Sequence, residues 1–345
     1  LVPNPFYRTI TNNTNLKNAT IQQYFLSLPY PAYGSVTRFQ DRLGSSSYNA
    51  LQVTAKRTFQ HGLQLQGAYT WSKALDYGNA YTGQIQAGSS QGTLFWNPYD
   101  RRLDRAVSPW DQTQRVVIAY LWELPFGKGR SLLPNVPVLS QVMGGWQVAG
   151  VTTFSSGFPL GIGGTGFGRP NLIADPTLPA QDRIIGDGHT AVALPTGQSY
   201  VVPAGYKLMF NPYAFSAPVL NVPQVGNPGA TVNVANPYYY GTAPRLFGQL
   251  RAPGINNFDM NVSRTFRLGE RMQLAARMDA FNVFNRVQPG APVTGFGGPN
   301  LTTPGQIGMN TSATFGLLNM QTAQTAINSN SNTPRYLQLS LHLTW

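Results

Sequence analysis

Three histidines, a set of aspartates and one glycine motif are the places where this 345-residue chain could do chemistry. His61, His189 and His342 lie far apart, in what read as a turn, a loop and a strand. No metal-ligand spacing results. Asp100, Asp104 and Asp111 fall in one stretch and could offer oxygens to a calcium ion, but without the pattern of an EF-hand loop. They read as solvated loop carboxylates. Gly161-x-Gly163-x-x-Gly166 has the form of a dinucleotide fingerprint and follows a strand pattern. Gly168, Arg169 and Pro170 then block the helix whose N-terminus would hold the pyrophosphate, so these are loop glycines. No Ser or Glu has a catalytic setting. The expectation is a protein that is no enzyme and needs no cofactor or metal.

The composition points to the elements that must carry any function. Only 10% of residues are charged, against roughly 25% in soluble domains. A mean hydropathy of −0.19 excludes a helical membrane protein. The longest apolar run, near residues 116–122, falls far short of the ~20 residues a spanning helix needs. The net charge of +12 comes from basic residues scattered singly. That argues against nucleic acid and toward anionic lipid headgroups as the counter-charge. The absence of cysteine leaves the redox compartment open.

Alternation supplies the architecture. At the C-terminus Leu337, Leu339, Leu341, Leu343 and Trp345 share one parity, and Tyr336, Gln338, Ser340, His342 and Thr344 the other. A strand of that length with one apolar face suits the wall of a transmembrane β-barrel. Six other segments share the pattern, giving strands at about 48–59, 63–75, 114–124, 145–156, 255–267, 271–284 and 335–345. Their connections alternate short and long, which defines short periplasmic turns and long extracellular loops. Residues 1–47 lack a period and read as an extracellular loop region; 157–254 and 287–334 read as loops too. The expected fold is all-β, an antiparallel transmembrane barrel segment of about seven long strands.

Finer expectations follow from the pattern. The first hairpin, closed by Gln60-His61-Gly62, pairs Phe59 with Leu63, Val53 with Tyr69 and Leu51 with Trp71. Arg57-Thr58-Phe59-x-x-Gly62 recurs as Arg264-Thr265-Phe266-x-x-Gly269, with each Arg on the lipid-facing parity just before a turn. There its cost is about 0–1 kcal/mol, and it can snorkel to headgroup phosphate. If the second hairpin copies the first, Asp259 lies opposite Arg277 as a lumen ion pair; the other reading is a solvated surface pair. Phe59, Trp122, Trp146, Phe266 and Trp345 sort toward the short turns. Tyr69, Trp71, Phe154, Phe258 and Phe284 sort toward the long loops. Two such bands are what membrane-interface girdles require.

On these residues the chain resembles the C-terminal barrel part of TonB-dependent outer-membrane receptors, closest to the Oar-like receptors that often carry a carboxypeptidase-regulatory-like domain. The matching stretches are Ser47-Tyr48-Asn49-Ala50-Leu51-Gln52-Val53, Tyr69-Thr70-Trp71-Ser72-Lys73, Leu124-Pro125-Phe126-Gly127-Lys128-Gly129, Phe258-Asp259-Met260-Asn261-Val262 and Arg277-Met278-Asp279-Ala280-Phe281-Asn282-Val283-Phe284-Asn285. The resemblance implies a barrel of 22 strands filled by a plug domain, a bacterial outer-membrane location, and import of a large or scarce solute driven by TonB. Seven strands without plug or TonB-contacting segment imply part of a longer wall. The resemblance also marks the last strand, with Tyr336, Leu339, Leu341, Leu343 and terminal Trp345, as a signal read by the barrel-assembly machinery. Other classes fit the same pattern: a surface adhesin or structural protein anchored by a barrel, or an open porin.

Overall fold

The computed structural model describes residues 1–13, 16–26, 30–32, 44–59, 62–77, 102–126, 144–163, 169–227, 229–236, 239, 241–268, 272–287, 289–320 and 334–345. Two compact units appear, Leu1–Gly44 and Ser45–Trp345. The first unit, for which the sequence predicts loop, has a small fold of its own. Val2–Pro3 pairs antiparallel with Thr20–Ile21, ahead of a helical turn at Gln23–Leu26. Asn4 is its organising residue. The Asn4 amide donates to the carbonyls of Leu16 (2.6 Å) and Asn18 (2.7 Å) and accepts the Phe6 N–H (2.9 Å).

The second unit is built on seven long strands: β1 Ser46–Thr58, β2 Leu63–Asp76, β3 Gln114–Glu123, β4 Trp146–Ser155, β5 Ile255–Arg267, β6 Gln273–Phe281 and β7 Tyr336–Thr344. They pair antiparallel in chain order, β1 through β7, so each strand neighbours the next. A short piece, Ala106–Val107, adds to the loop end of β2. The sheet is open, with β1 and β7 at its edges. The first hairpin has the expected register: Leu51 faces Trp71, Val53 faces Tyr69, and Phe59 N–H donates to the Leu63 carbonyl at 2.7 Å.

Register carries the alternation across the sheet. One row runs Leu63, Trp122, Val148, Val262, Met278, Leu339, and the next Leu65, Tyr120, Gly150, Met260, Ala280, Leu337. The rows between them are mostly polar or small, with Leu121 the exception in Gln64, Leu121, Ala149, Asn261, Asp279, Gln338. Apolar side chains on the first face stay open: Leu51, Trp71, Leu339 and Leu341 are all more than half exposed. A patch of that extent needs an apolar partner, and a bilayer supplies one. Gly150 would be a weak point in that face, but the end of the Tyr120 side chain lies over it, its hydroxyl 2.5 Å and the ring carbon bearing it 2.6 Å from where a Cβ would stand. This is the aromatic cover that a sheet glycine calls for.

The core sits outside the wall. The described residues of 157–254 and 289–320, for which the sequence predicts loop, fold together on short strands. Pro159–Leu160 pairs with Phe247–Arg251, Asn171–Leu172 with Phe215–Ser216, and Tyr206–Leu208 with Leu317–Asn319. Phe210, Phe215, Phe247, Phe296 and Phe315 are buried with Leu160 and Ile162. Their rings meet edge-on at centroid distances of 5.1–5.9 Å, the arrangement favoured by ring quadrupoles. Leu178, Val202, Leu208 and Leu317 build a second cluster beside them. The long connections therefore form a packed cap.

Candidate functional site

Two ion pairs tie the cap to the connection between β2 and β3, and a third ties it to the last residue of β2. Arg169 meets Asp104 (2.6 Å), Arg251 meets Asp111 (2.6 Å), and Arg245 meets Asp76. Asp104 and Asp111, read as solvated, are 1% and 2% exposed; Asp100 lies outside the described residues. The correction has a physical reason. Carboxylates this deep need compensating charge and hydrogen bonds. Arg245 Nε adds a bond to the Asp104 carbonyl (3.2 Å), and Arg251 Nη1 reaches the carbonyls of Asp111 (2.9 Å) and Gly157 (3.1 Å). Asp111 also accepts the Ala74 N–H at 2.6 Å, which fixes the clasp to the end of β2. Burial pulls the Arg169 guanidinium below its ordinary value, Asp104 opposes that, and nearby Arg245 adds to it.

The glycine motif belongs to the same cap. Gly163 N–H donates to the Thr294 carbonyl (3.1 Å), and the Gly163 carbonyl accepts from Phe296 (2.9 Å). Buried Ile162 packs beside the phenylalanines, and Gly166 lies outside the described residues. Gly163 thus serves backbone pairing within the cap. Among the described residues no group of His, Asp and Glu could hold a metal ion. His61 lies outside them, His189 N–H bonds Asp187, and His342 Nδ1 faces Thr344 Oγ1 at 3.3 Å.

The expected Asp259–Arg277 pair does not form. β5 and β6 set Arg277 opposite Ser263 and Asp279 opposite Asn261. Arg277 instead grips Asp279, two residues on in the same strand, through Nε (2.9 Å) and Nη2 (2.6 Å). The hairpin closes at Leu268 and Met272, two residues beyond the point that the Arg-Thr-Phe repeat implied. Asp259 holds the far end of the hairpin: it accepts the Asn282 N–H (3.0 Å) and the Asn257 amide (2.7 Å). Asn282, in left-handed backbone at φ 48°, bonds Arg286 twice. Asn285 accepts the Arg335 N–H at 3.0 Å, fixing the entry to β7.

The inward face of the wall carries an open hollow of about 330 Å³, lined on that parity by Lys56, Gln64, Gln66 and Asn261 together with apolar Leu121 and Val151. Strand lean follows from the two tight turns. Leu63, closing the first, shares its row with Val262, whereas Leu268 closes the third, so the offset is 268 − 262 = 6 residues. That offset accumulates over four strand spacings. At ~3.3 Å per residue and ~4.8 Å per spacing, the strands lean roughly 45° from the perpendicular to the line of turns. Relative to that line, Phe59, Trp122, Trp146 and Phe266 cluster low, while Tyr69, Trp71, Phe154 and Phe258 cluster high. The outermost rings, Phe59 and Phe154, are about 24 Å apart along the perpendicular.

An antiparallel wall with an apolar outer face, a hollowed polar inner face, strands leaning near 45° and long loops gathered at one end defines a transmembrane β-barrel protein. The chain matches the family described as outer membrane beta barrel domain over residues 4–338. It belongs to that family, and its place is the bacterial outer membrane. No curated protein and no solved structure matches.

Proposed function

We propose that this wall is the C-terminal barrel part of a TonB-dependent receptor of the Oar-like kind, importing a large or scarce solute with energy supplied by TonB. The observation that carries the reading is the packed cap: loops held by buried phenylalanines and by three ion pairs, one fully and two partly buried, present a fixed surface to a ligand. Such preorganisation lowers the ordering cost of binding. The polar face lines the passage around a plug, and further strands pair with the two open edges. Phe59, Trp122, Trp146 and Phe266 act as the periplasmic girdle, with Tyr69 and Trp71 in the outer one. The aromatic end of β7, from Tyr336 through Leu339, Leu341 and Leu343 to Trp345, is the part that the assembly machinery reads.

The test is uptake by cells carrying the complete gene, using a panel of labelled solutes too large for passive diffusion. Uptake that stops when a protonophore collapses the inner-membrane gradient is the expected result. Uptake that persists would indicate an open porin, and assembly with no uptake of any solute would indicate a surface anchor. Either outcome overturns the import reading.

A further inference from the structure

We infer that the inward hollow of the wall binds a short apolar peptide, with its free C-terminal carboxylate on Lys56. The interior of such a barrel is polar, and β3 and β4 depart from that rule. Ala119, Leu121, Ala149 and Val151 all face inward there and floor the hollow. Ala119 stands opposite Val151, and Leu121 opposite Ala149. The two alanines therefore lie on a diagonal, which lowers the floor between the taller side chains. Val151 is 44% exposed, apolar surface that a ligand can cover. The volume of about 330 Å³ falls within the range of about 300–1,000 Å³ for ligand sites.

Polar groups border that floor in a fixed order. Lys56 on β1 stands opposite Gln66 on β2, and Gln66 opposite Ala119. In the next row Gln64 leads to Leu121 and Ala149, and Asn261 on β5 follows. Lys56 is the one charged residue among those lining the hollow. Its side chain and the three amides make no hydrogen bond or ion pair with any described residue, so their donors and acceptors are available. A side-chain amide offers the same donor and acceptor as a peptide bond. Ammonium, amides and apolar floor thus match the carboxylate, backbone and side chains of an apolar peptide. From β1 to β5 the hollow spans four strand spacings, roughly 19 Å, room for up to about five extended residues. Its β1–β2 end lies beside the tight turn at Phe59 and Leu63, so a solute that has passed the cap meets it last. The site deepens the import reading and rests on it for this route, while binding itself needs no energy.

Equilibrium dialysis of labelled trileucine against the protein extracted from outer membranes tests this. Trileucine amide, which lacks the carboxylate, should bind about tenfold more weakly, the lower end for a hydrogen bond to a charged group. Triserine keeps the carboxylate and lacks the apolar side chains; it should also bind at least about tenfold more weakly. K56Q should abolish the preference for the acid over the amide. R267Q, on the same inward parity but outside the hollow, should keep it. Equal binding of trileucine and its amide by the unaltered protein overturns the proposal. So does a preference that survives K56Q, or an equal loss in R267Q, which would mean diffuse charge. No binding of trileucine overturns it too, since another part of the protein would then cover the hollow. The import reading fails separately. Gradient-driven uptake of other solutes without trileucine binding removes only the site, and trileucine binding without gradient-driven uptake removes only import.

Discussion

Arg251 spans two parts of the chain, and its removal isolates a charge. Its Nη2 neutralises Asp111, whose carboxylate is 1% exposed and otherwise meets the Ala74 N–H. Truncation to alanine leaves that carboxylate buried without counter-charge, which costs about 3–5 kcal/mol. R251A should therefore open the cap to external protease, while the wall keeps its heat-dependent gel mobility. Unchanged protease resistance would show that the clasp is not what holds the cap. Tyr200 is a second residue with a readable consequence. Burial, helped by nearby Tyr213, pushes its phenol up to about 12, and its hydroxyl donates to the Ala313 carbonyl at 2.9 Å. Folding favours the neutral form, so its stabilising contribution is complete below about pH 10, the unfolded value, and is lost as pH rises through about 12. The cap should loosen over that window, followed by tyrosinate absorbance. Y200F should lose about 0.5–1.5 kcal/mol at neutral pH and also lose the alkaline step; a step of the same size in Y200F would assign it to another group.

The third hairpin shows what alternation can and cannot fix. Faces were legible throughout, because a one-residue slip would turn every apolar side chain of β5 to the other side. An even slip changes no face. Placing the turn two residues late moves Arg277 from Asp259 to Ser263 while every inward residue stays inward, so the hydrophobic pattern is blind to the error. Crosslinking can see it. The chain has no cysteine, and facing strand residues have the Cα separation that a disulfide accepts. S263C/R277C should oxidise readily and D259C/R277C should not; the reverse would restore the repeat-based register. The cap was illegible for a different reason. Its strands are two to five residues long, too short to establish a period. Its ion pairs join residues 65, 140 and 169 positions apart, so nothing local marked Asp104 or Asp111 as partners of arginine.

At the scale of the whole wall, the offset between short turns and the apolar rows describe one geometry. A sheet that closes into a barrel must shear, and the shear appears as a lean of each strand against the barrel axis. Six residues over four spacings give roughly 45°, the tilt at which strands of 9–14 residues cross a bilayer. The same lean separates Phe59 from Phe154 by about 24 Å, close to the ~25 Å apolar band of outer-membrane barrels. Neither quantity depends on how many strands complete the wall. Polarised infrared spectroscopy of the protein in oriented membranes measures the lean directly. The amide dichroism should report strands tilted about 35–50° from the membrane normal. Strands lying flat in the membrane plane would make the apolar face a peripheral surface, and strands near the normal would contradict the turn offset.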